Sequence, residues 1–476
     1  MLQSIAFVSG RASENPTCGG PVTSRLPPGR RRPRSLPAPR DHRQPSPRAS
    51  ASTSSYTPNT STSTIPSFST HPNPCSIYRI PYPDLPRHLE SCGISPQRAP
   101  DIWKWVYRDE APTWDVTGRR GAPHALNSSL RSRLAECLPL DTGLTLRDTC
   151  RASDGTTKLL MNVHSGSAAG TVLEAVLIPM GQSTSKRYTL CISSQIGCAM
   201  ACSFCYTGKM GLLSSLSTEH IVGQFILARR YLRDVGDPTP LRHAVLMGQG
   251  EPMDNLDAVL PALKVLTGNY DGAQGLGMSP HHVTVSTVGL VPEMGIFMES
   301  TRGRHTLAVS IHAGTEVTRR VIVPTSQRYR LDDICSFLAT HFPRAGKSKK
   351  NFCVIEYTML RGVNDSAEEA VALAARLRPI WCVVNLIVYN THIGASFQAS
   401  LPETVTAFVG VLRGEGLKVT VRESRGDDAM AACGQLGDLA MAAEKRKRKI
   451  GDGDGGGDVD DSQKAEVVEV VETTNT

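Results

Sequence analysis

The stretch YTLCISSQIGCAMACSFCYTG, residues 188–208, opens as a short strand-like run, YTLCIS, and ends in three cysteines, Cys198, Cys202 and Cys205, separated by three and two residues. A strand that runs straight into a thiol-rich loop puts those sulfurs at the carboxyl end of a sheet, where α/β folds assemble their sites. Zinc in a structural site takes four ligands, and no paired CxxC or HxxxH lies within ordinary reach to complete one. An iron-sulfur cube held by three thiolates instead leaves its fourth iron open to bind something further. Ligand count favours the cluster and leaves zinc as the alternative.

The chain downstream of the triplet has a regular rhythm. The runs HAVLMG (243–248), HHVTVST (281–287), HTLAVSIH (305–312), NFCVIEYT (351–358) and WCVVNLIVY (381–389) are short and rich in β-branched residues, as buried strands are. Between them lie helical patterns. Thr218 reads as the cap of TEHIVGQFILARRYLRD, and Ser366 with Glu369 reads as a capping box. Strands alternating with helices predict an α/β fold with a parallel sheet, either a partial barrel or an open doubly wound sheet. Residues 80–150, with APDIWKWVYR and ALNSSLRSRLAECL, read as helical and lack this rhythm. They are expected to form a separate accessory domain ahead of a core over 155–442.

Composition bounds the rest. Thirteen cysteines is an odd count spread along 476 residues, which argues for metal or redox chemistry over a disulfide framework. The longest apolar runs, IVGQFILA and VVNLIV, fall short of the roughly 20 residues of a bilayer span, so a soluble protein with no membrane partner is expected. Residues 1–50 carry nine arginines against Glu14 and Asp41, which is most of the net charge of +8. Residues 50–70 are rich in serine, threonine and proline, without acids. An Arg-rich, Ser-rich, acid-poor start is the composition of an organelle transit peptide, assigned to 1–75, with chloroplast expected first and mitochondrion or cytoplasm as alternatives. Residues 443–476, with KRKRK at 445–449, read as a disordered charged tail.

Downstream strand ends carry polar groups. MGQGEP (247–252) supplies Gly250 and Glu251, STVG supplies Ser286, and SIHAG supplies Ser310 and His312. Each alone is an ordinary turn. On consecutive strands of one sheet they would face a common mouth.

The triplet C-x3-C-x2-C, with its last cysteine in SFCY, is similar to the signature of radical S-adenosylmethionine (SAM) enzymes. GEP in MGQGEP resembles the motif those enzymes use for the SAM amino group. The ordered series IWKWVYR, DGTTKLLM, TLCISSQIGCAMACSFC, MGQGEPMDN, VTVSTVGLVP, SIHAGTEVTRRVIVPTS, EYTMLRGVND and RGDDAMAACGQL resembles one family in particular, the RlmN/Cfr radical SAM methyltransferases of adenosine in RNA. The resemblance implies a partial (βα)6 radical SAM barrel and a 4Fe-4S cluster on Cys198, Cys202 and Cys205. It implies a SAM site of Gly250, Glu251, Ser286, Ser310, Ile311, His312 and Asn390. It also assigns two cysteines that composition alone would leave as packing: Cys433 as methyl carrier and Cys191 as its redox partner, the two forming a disulfide during turnover, with Glu174 in LEAVLIP as the base.

The route so implied methylates Cys433 from one SAM, generates a radical from a second, couples the S-methylene carbon to adenine, and releases the product by attack of Cys191 on Cys433. Carbon 2 of adenine is the expected position. A large-subunit rRNA adenosine is the expected target, with the tRNA adenosine beside the anticodon as a second. Arg319, Arg320 and Arg422 are expected in a basic RNA-binding mouth, together with the segment 80–150. A flavodoxin or ferredoxin is the expected electron donor, and a monomer the expected state. One departure stands out: in NLIVYNTHIGASF, Asn390 is kept while Val388, Tyr389 and Thr391 replace the family's usual neighbours. The competing readings are methylation at carbon 8 or another substrate, and a non-catalytic iron-sulfur RNA-binding protein.

Overall fold

The computed structural model describes residues 74–107, 113–114, 126–181, 185–270, 273–274, 276–345, 351–392, 394–422 and 424–437. Nearly all of the segments 1–75 and 443–476 assigned to targeting and tail lies outside them. Among the described residues fourteen strands occur in chain order: β1 Leu144–Arg151, β2 Thr157–Val163, β3 Val172–Met180, β4 Arg187–Cys191, β5 Gln195–Gly197, β6 Leu212–Ser215, β7 Leu241–Leu246, β8 Asn269–Tyr270, β9 Ala273–Gln274, β10 Val283–Thr287, β11 Thr306–Ser310, β12 Cys353–Met359, β13 Cys382–Val388 and β14 Lys418–Arg422. Ten of them form one sheet in the order β1-β2-β3-β4-β7-β10-β11-β12-β13-β14. From β4 to β14 every neighbour is parallel, so six βα units run from β4 to β13 and β14 ends the series. β1, β2 and β3 add an antiparallel extension at the β4 edge.

The parallel strands read as continuous apolar runs because helices cover them; β12 is buried at all seven positions. The crossover helices include Thr218–Asp234, Leu256–Thr267, Val291–Thr301, Ala367–Leu377 and Pro402–Gly414. The first is capped by Ser217, one residue before the expected Thr218, and the Ser217 N–H donates to His220 Nδ1 at 3.3 Å. At Ala367–Leu377 the Ser366 cap is as read, its hydroxyl accepting from Glu369 N at 3.3 Å. The Glu369 carboxylate, however, turns away to take the N–H of Gly314 at 2.5 Å and the hydroxyl of Thr315 at 2.7 Å.

Ahead of the sheet lie the helices Leu85–Ser91, Ala99–Tyr107 and Ser128–Cys137. Trp103 packs edge-on to Tyr82 at 5.4 Å and against Tyr107 at 4.2 Å. The expectation of a separate domain here needs correction. The buried residues of this segment join the sheet's own in one hydrophobic cluster, and Arg79 pairs with Glu219 of the first crossover helix at 3.2 Å. Leu144–Arg151, all but its last residue inside 80–150, is strand rather than helix. It is an edge strand with seven of eight positions open or half-open, so it lacks the apolar pattern by which strands are read. No described helix is long and apolar enough to cross a membrane.

Candidate active site

Past Cys191 the chain stays tied to β7: Ile192 N donates to Val245 O at 2.8 Å and Ser194 N to Gln249 O at 2.9 Å. The Gln195 side chain couples the first two strand ends, accepting from Glu251 N at 2.9 Å and donating to Asp254 Oδ2 at 3.0 Å. Pairing of β5 with β6 closes the base of the loop that carries Cys198, Cys202 and Cys205. Gly197 is required there, since at φ +72 a Cβ would run into the carbonyl oxygen of Gly211.

The three cysteines line one cavity of about 910 Å3, counting the part open to solvent, a size suited to a small molecule. Burial pushes the Cys198 thiol up to about 12 and raises Cys202 and Cys205, the last drawn back by the N–H groups of Gly208 and Thr207. Thiolates so buried need positive charge beside them, which bound iron provides. Among the described residues no three His, Cys, Asp or Glu side chains converge as around a single ion. Two of the nearest alternative donors are already engaged by backbone N–H groups. Glu251 spends its oxygens on Met253 N at 3.0 Å and Val288 N at 2.8 Å, and His312 Nδ1 accepts from Thr358 N at 3.0 Å. Three thiols carried by one short loop and facing one cavity fit a cube with one open iron.

Gly250, Glu251, Ser286, Ser310 and His312 face the same cavity. Gly250 has φ +98, and a Cβ would meet Gln195 Cβ at 2.5 Å, so only glycine lets the strand end pass this close. Burial pushes Glu251 up to about 7, against the pull of the Val288 and Met253 N–H groups. An ammonium ligand would supply the missing opposite charge. Burial and then Arg319 draw His312 down to about 3. The ring is therefore neutral, and with Nδ1 accepting, its proton sits on Nε2 as a donor.

Cys433 lies on the wall shared by this cavity and a second one, which Cys191 and Asn390 also line. Both cysteines are free thiols. The segment carrying Cys433 is clasped from several sides. Tyr206 N donates to Gly434 O at 2.8 Å, Lys158 Nζ to Met430 O at 3.2 Å, Ser153 N to Asp428 Oδ2 at 2.9 Å, and Gly437 N to Glu174 Oε2 at 3.0 Å. The motifs DGTTK and RGDDAMAACGQL, far apart in sequence, are thus two halves of one clasp.

Not every expected residue sits at the mouth. Ile311 is fully buried, its N–H donating to Glu356 O at 3.0 Å and its carbonyl accepting from Arg319 Nε at 3.0 Å. Asn390 stands on the Cys433 side, and the Glu174 carboxylate lies behind the Cys433 segment, 3.7 Å from Lys158 Nζ. The basic mouth needs correction at two of its three residues. Arg319 is buried and donates to the carbonyls of Ile311, Val288, Ser310 and Tyr329, so it holds strand ends instead of RNA. Arg422 turns inward and lines both cavities. Only Arg320 is exposed, paired with Glu316 at 3.2 Å. Glu356, on β12, is a cavity residue that sequence reading missed. A lone carboxylate inside the apolar run NFCVIEYT was the available signal.

A parallel βα sheet whose first strand ends in a three-cysteine loop and whose next strand ends in Gly-Glu-Pro defines a radical SAM enzyme, and residues 192–374 match the model of the Radical SAM superfamily. The chain is 37% identical over 382 residues to the dual-specificity RNA methyltransferase RlmN of Anaeromyxobacter dehalogenans (strain 2CP-C), spanning 79% of this chain and 96% of that one. It is 36% identical over 363 residues to RlmN of Nitratidesulfovibrio vulgaris (strain DP4), 76% of this chain and 94% of that one. The crystal structure of a radical SAM methyltransferase from Sphaerobacter thermophilus superposes with a TM-score of 0.66 at 35% identity, covering 76% of this chain and 99% of that one. The chain belongs to the RlmN family of radical SAM methyltransferases. Its cofactors are a 4Fe-4S cluster and SAM.

Proposed function

We propose that the enzyme methylates carbon 2 of an adenosine in RNA by way of a methyl group carried on Cys433, with large-subunit rRNA and the tRNA position beside the anticodon as targets. The observation that carries this reading is the place of Cys433 between a cysteine-lined cavity and a second cavity holding Cys191. Carbon 2 is electron-poor and bears no lone pair, so simple displacement on SAM cannot methylate it. A sulfur carrier overcomes this, because its methyl group can be turned into a carbon-centred radical. When bound, the cluster and SAM supply the methyl group in one event and a hydrogen-abstracting carbon radical in another.

The chain's residues do the rest. Cys198, Cys202 and Cys205 would hold the cluster. Gly250, Glu251, Ser286, Ser310 and His312 would hold SAM, with Glu251 accepting from its ammonium and His312 donating from Nε2. Asn390 fixes the main chain at Cys433, Glu174 is the proton acceptor for the ring hydrogen, and Cys191 is the thiol that frees the product. An unpaired adenosine is the expected target form, since a duplex base must first be extruded at a cost of roughly a few kcal/mol. The segment 80–150 and exposed cations such as Arg320 would bind RNA, and a flavodoxin or ferredoxin would supply electrons. The composition of residues 1–75 supports import into plastids; a fluorescent fusion of that segment remaining cytosolic would remove this part.

The test is anaerobic turnover with an rRNA fragment, followed by nucleoside analysis and peptide mapping. The expected result is 2-methyladenosine in the RNA and S-methylcysteine at Cys433. 8-Methyladenosine, or an unmodified Cys433 in active enzyme, would overturn the reading.

A further inference from the structure

Arg422 ends β14, in register with Ile387 of β13, and its side chain lines both cavities. Arg425, the other arginine lining the second cavity, is committed to Pro179 O at 3.3 Å. Among the described residues, nothing hydrogen-bonds or ion-pairs with the Arg422 guanidinium at contact distance. The charges that act on it are those of Cys433, Glu356 and Cys191. Glu356 is partly spoken for, since its Oε2 accepts from Asn385 Nδ2 at 2.8 Å, and Asn385 is held in turn by Thr420 Oγ1 at 3.0 Å. A half-buried guanidinium without a direct partner is costly to keep, and here it shares a cavity with two thiols that must exchange.

We infer that Arg422 is the positioning residue of that exchange, its guanidinium holding the negative charge on the Cys191 sulfur as it attacks Cys433. The inference rests on the proposed function for the identity of the adduct. In the step itself the Cys191 thiolate attacks the sulfur of Cys433. The S–S bond forms and the bond from Cys433 sulfur to the methylene carbon breaks. The electron pair leaves with that carbon, which takes up a proton to become the methyl group. The two sulfurs are oxidised and the carbon is reduced, so no outside oxidant enters. Cys191 needs help to be a thiolate: burial first, and then Cys433, push its thiol up to about 12, and Arg422 is the cation that pulls it back. Cys205 and Arg425 also line the second cavity, and Glu356, in the first cavity, acts on Arg422.

The test uses full-length, cluster-loaded protein without SAM or RNA. Wild type, Arg422→Met, Arg422→Gln and Arg422→Lys are treated with iodoacetamide from pH 7 to pH 9.5, and labelling of Cys191 is followed by peptide mass spectrometry against exposed Cys150 as internal reference. Met and Lys leave similar space, so access is matched and charge differs. Arg422→Met is expected to label Cys191 about tenfold more slowly than wild type, one pKa unit's worth, with Arg422→Lys restoring it to within about threefold of wild type. Should Arg422→Met fail to fold, Gln against Lys makes the same comparison. Equal labelling of Cys191 in the neutral and charged variants, or no rescue by Lys, would overturn the inference. Because no methyl transfer is involved, this result is separate from whether Cys433 carries a methyl group.

Discussion

Asn390 donates its side-chain amide to the carbonyl of Cys433 at 3.1 Å and takes the hydroxyl of Ser424 on its Oδ1. One amide therefore ties the end of β13 to both sides of the segment that presents the thiol. Asn390→Ala removes both bonds, neither of which involves Cys198, Cys202 or Cys205. It is expected to leave iron content unchanged and to lower S-methylation of Cys433 by roughly tenfold, the scale of one hydrogen bond to a partly buried group. Asn390→Asp should do worse, because a carboxylate not only cannot donate but sets its negative charge against the Cys433 carbonyl oxygen. Quantitative mass spectrometry of the Cys433 peptide checks this, and full methylation in both variants would assign Asn390 another role.

Arg319 and Arg320 are adjacent in sequence and opposite in fate. Removing Arg319 leaves four buried carbonyls without their donor, so Arg319→Leu is expected to destabilise the fold by on the order of 3–5 kcal/mol. Arg320→Ala breaks an exposed pair and should change stability by less than about 0.5 kcal/mol. Chemical denaturation of the two variants measures the contrast. Similar values would mean that the Arg319 bonds to the strand ends contribute little.

That pair also shows where reading the sequence stops. Two successive residues on a helix point about 100° apart, so TRRV says that one arginine can face the core and the other solvent, without saying which. The five downstream strands were legible because burial on both faces makes each a continuous apolar run. β1 was not, because its exposed residues carry no such pattern. The cysteine triplet and the polar strand ends were legible as a site, since their residue types are chemically restricted. Arg422 reads as facing RNA, because an inward-facing charge in a strand looks the same in sequence as an outward-facing one, and Glu356 is passed over although its apolar neighbours mark it. Only the stacking of β12, β13 and β14 brings them beside Cys433.

Stability should fall in mild acid for a reason separate from the site. His305 is buried with neither ring nitrogen hydrogen-bonded, and burial, then Arg304, draws its pKa down to about 4. The unfolded chain, with an ordinary histidine near 6.5, binds the proton more readily than the folded one, so stability is full above about pH 6.5 and is lost as pH falls toward 4. The loss between pH 7 and pH 5 is expected to be roughly 2 kcal/mol for this residue. His305→Phe should flatten that part of the curve, measured by urea denaturation at both values. An unchanged slope would place the acid sensitivity elsewhere, with buried His243, also drawn down to about 4, the next residue to replace.

The two thiols of the second cavity should fail in different ways when removed. Cys191 ends β4 and Cys433 sits on the clasped segment opposite, both free and both reaching the same space. If Cys433 carries the methyl group and Cys191 breaks the resulting bond, then Cys191→Ala should accumulate RNA covalently on Cys433, because the methylene bridge forms and no thiolate remains to cut it. Cys433→Ala should form no adduct at all. Ordinary packing roles would instead give two similar losses, since each is a cysteine-to-alanine change beside the same cavity, costing a similar amount of buried surface. Digestion of each purified variant, with a search for a nucleotide-bearing peptide spanning Gly426–Leu436, separates the cases. If that peptide is absent from Cys191→Ala while iron content and SAM cleavage match wild type, the carrier role falls and methylation must proceed without Cys433.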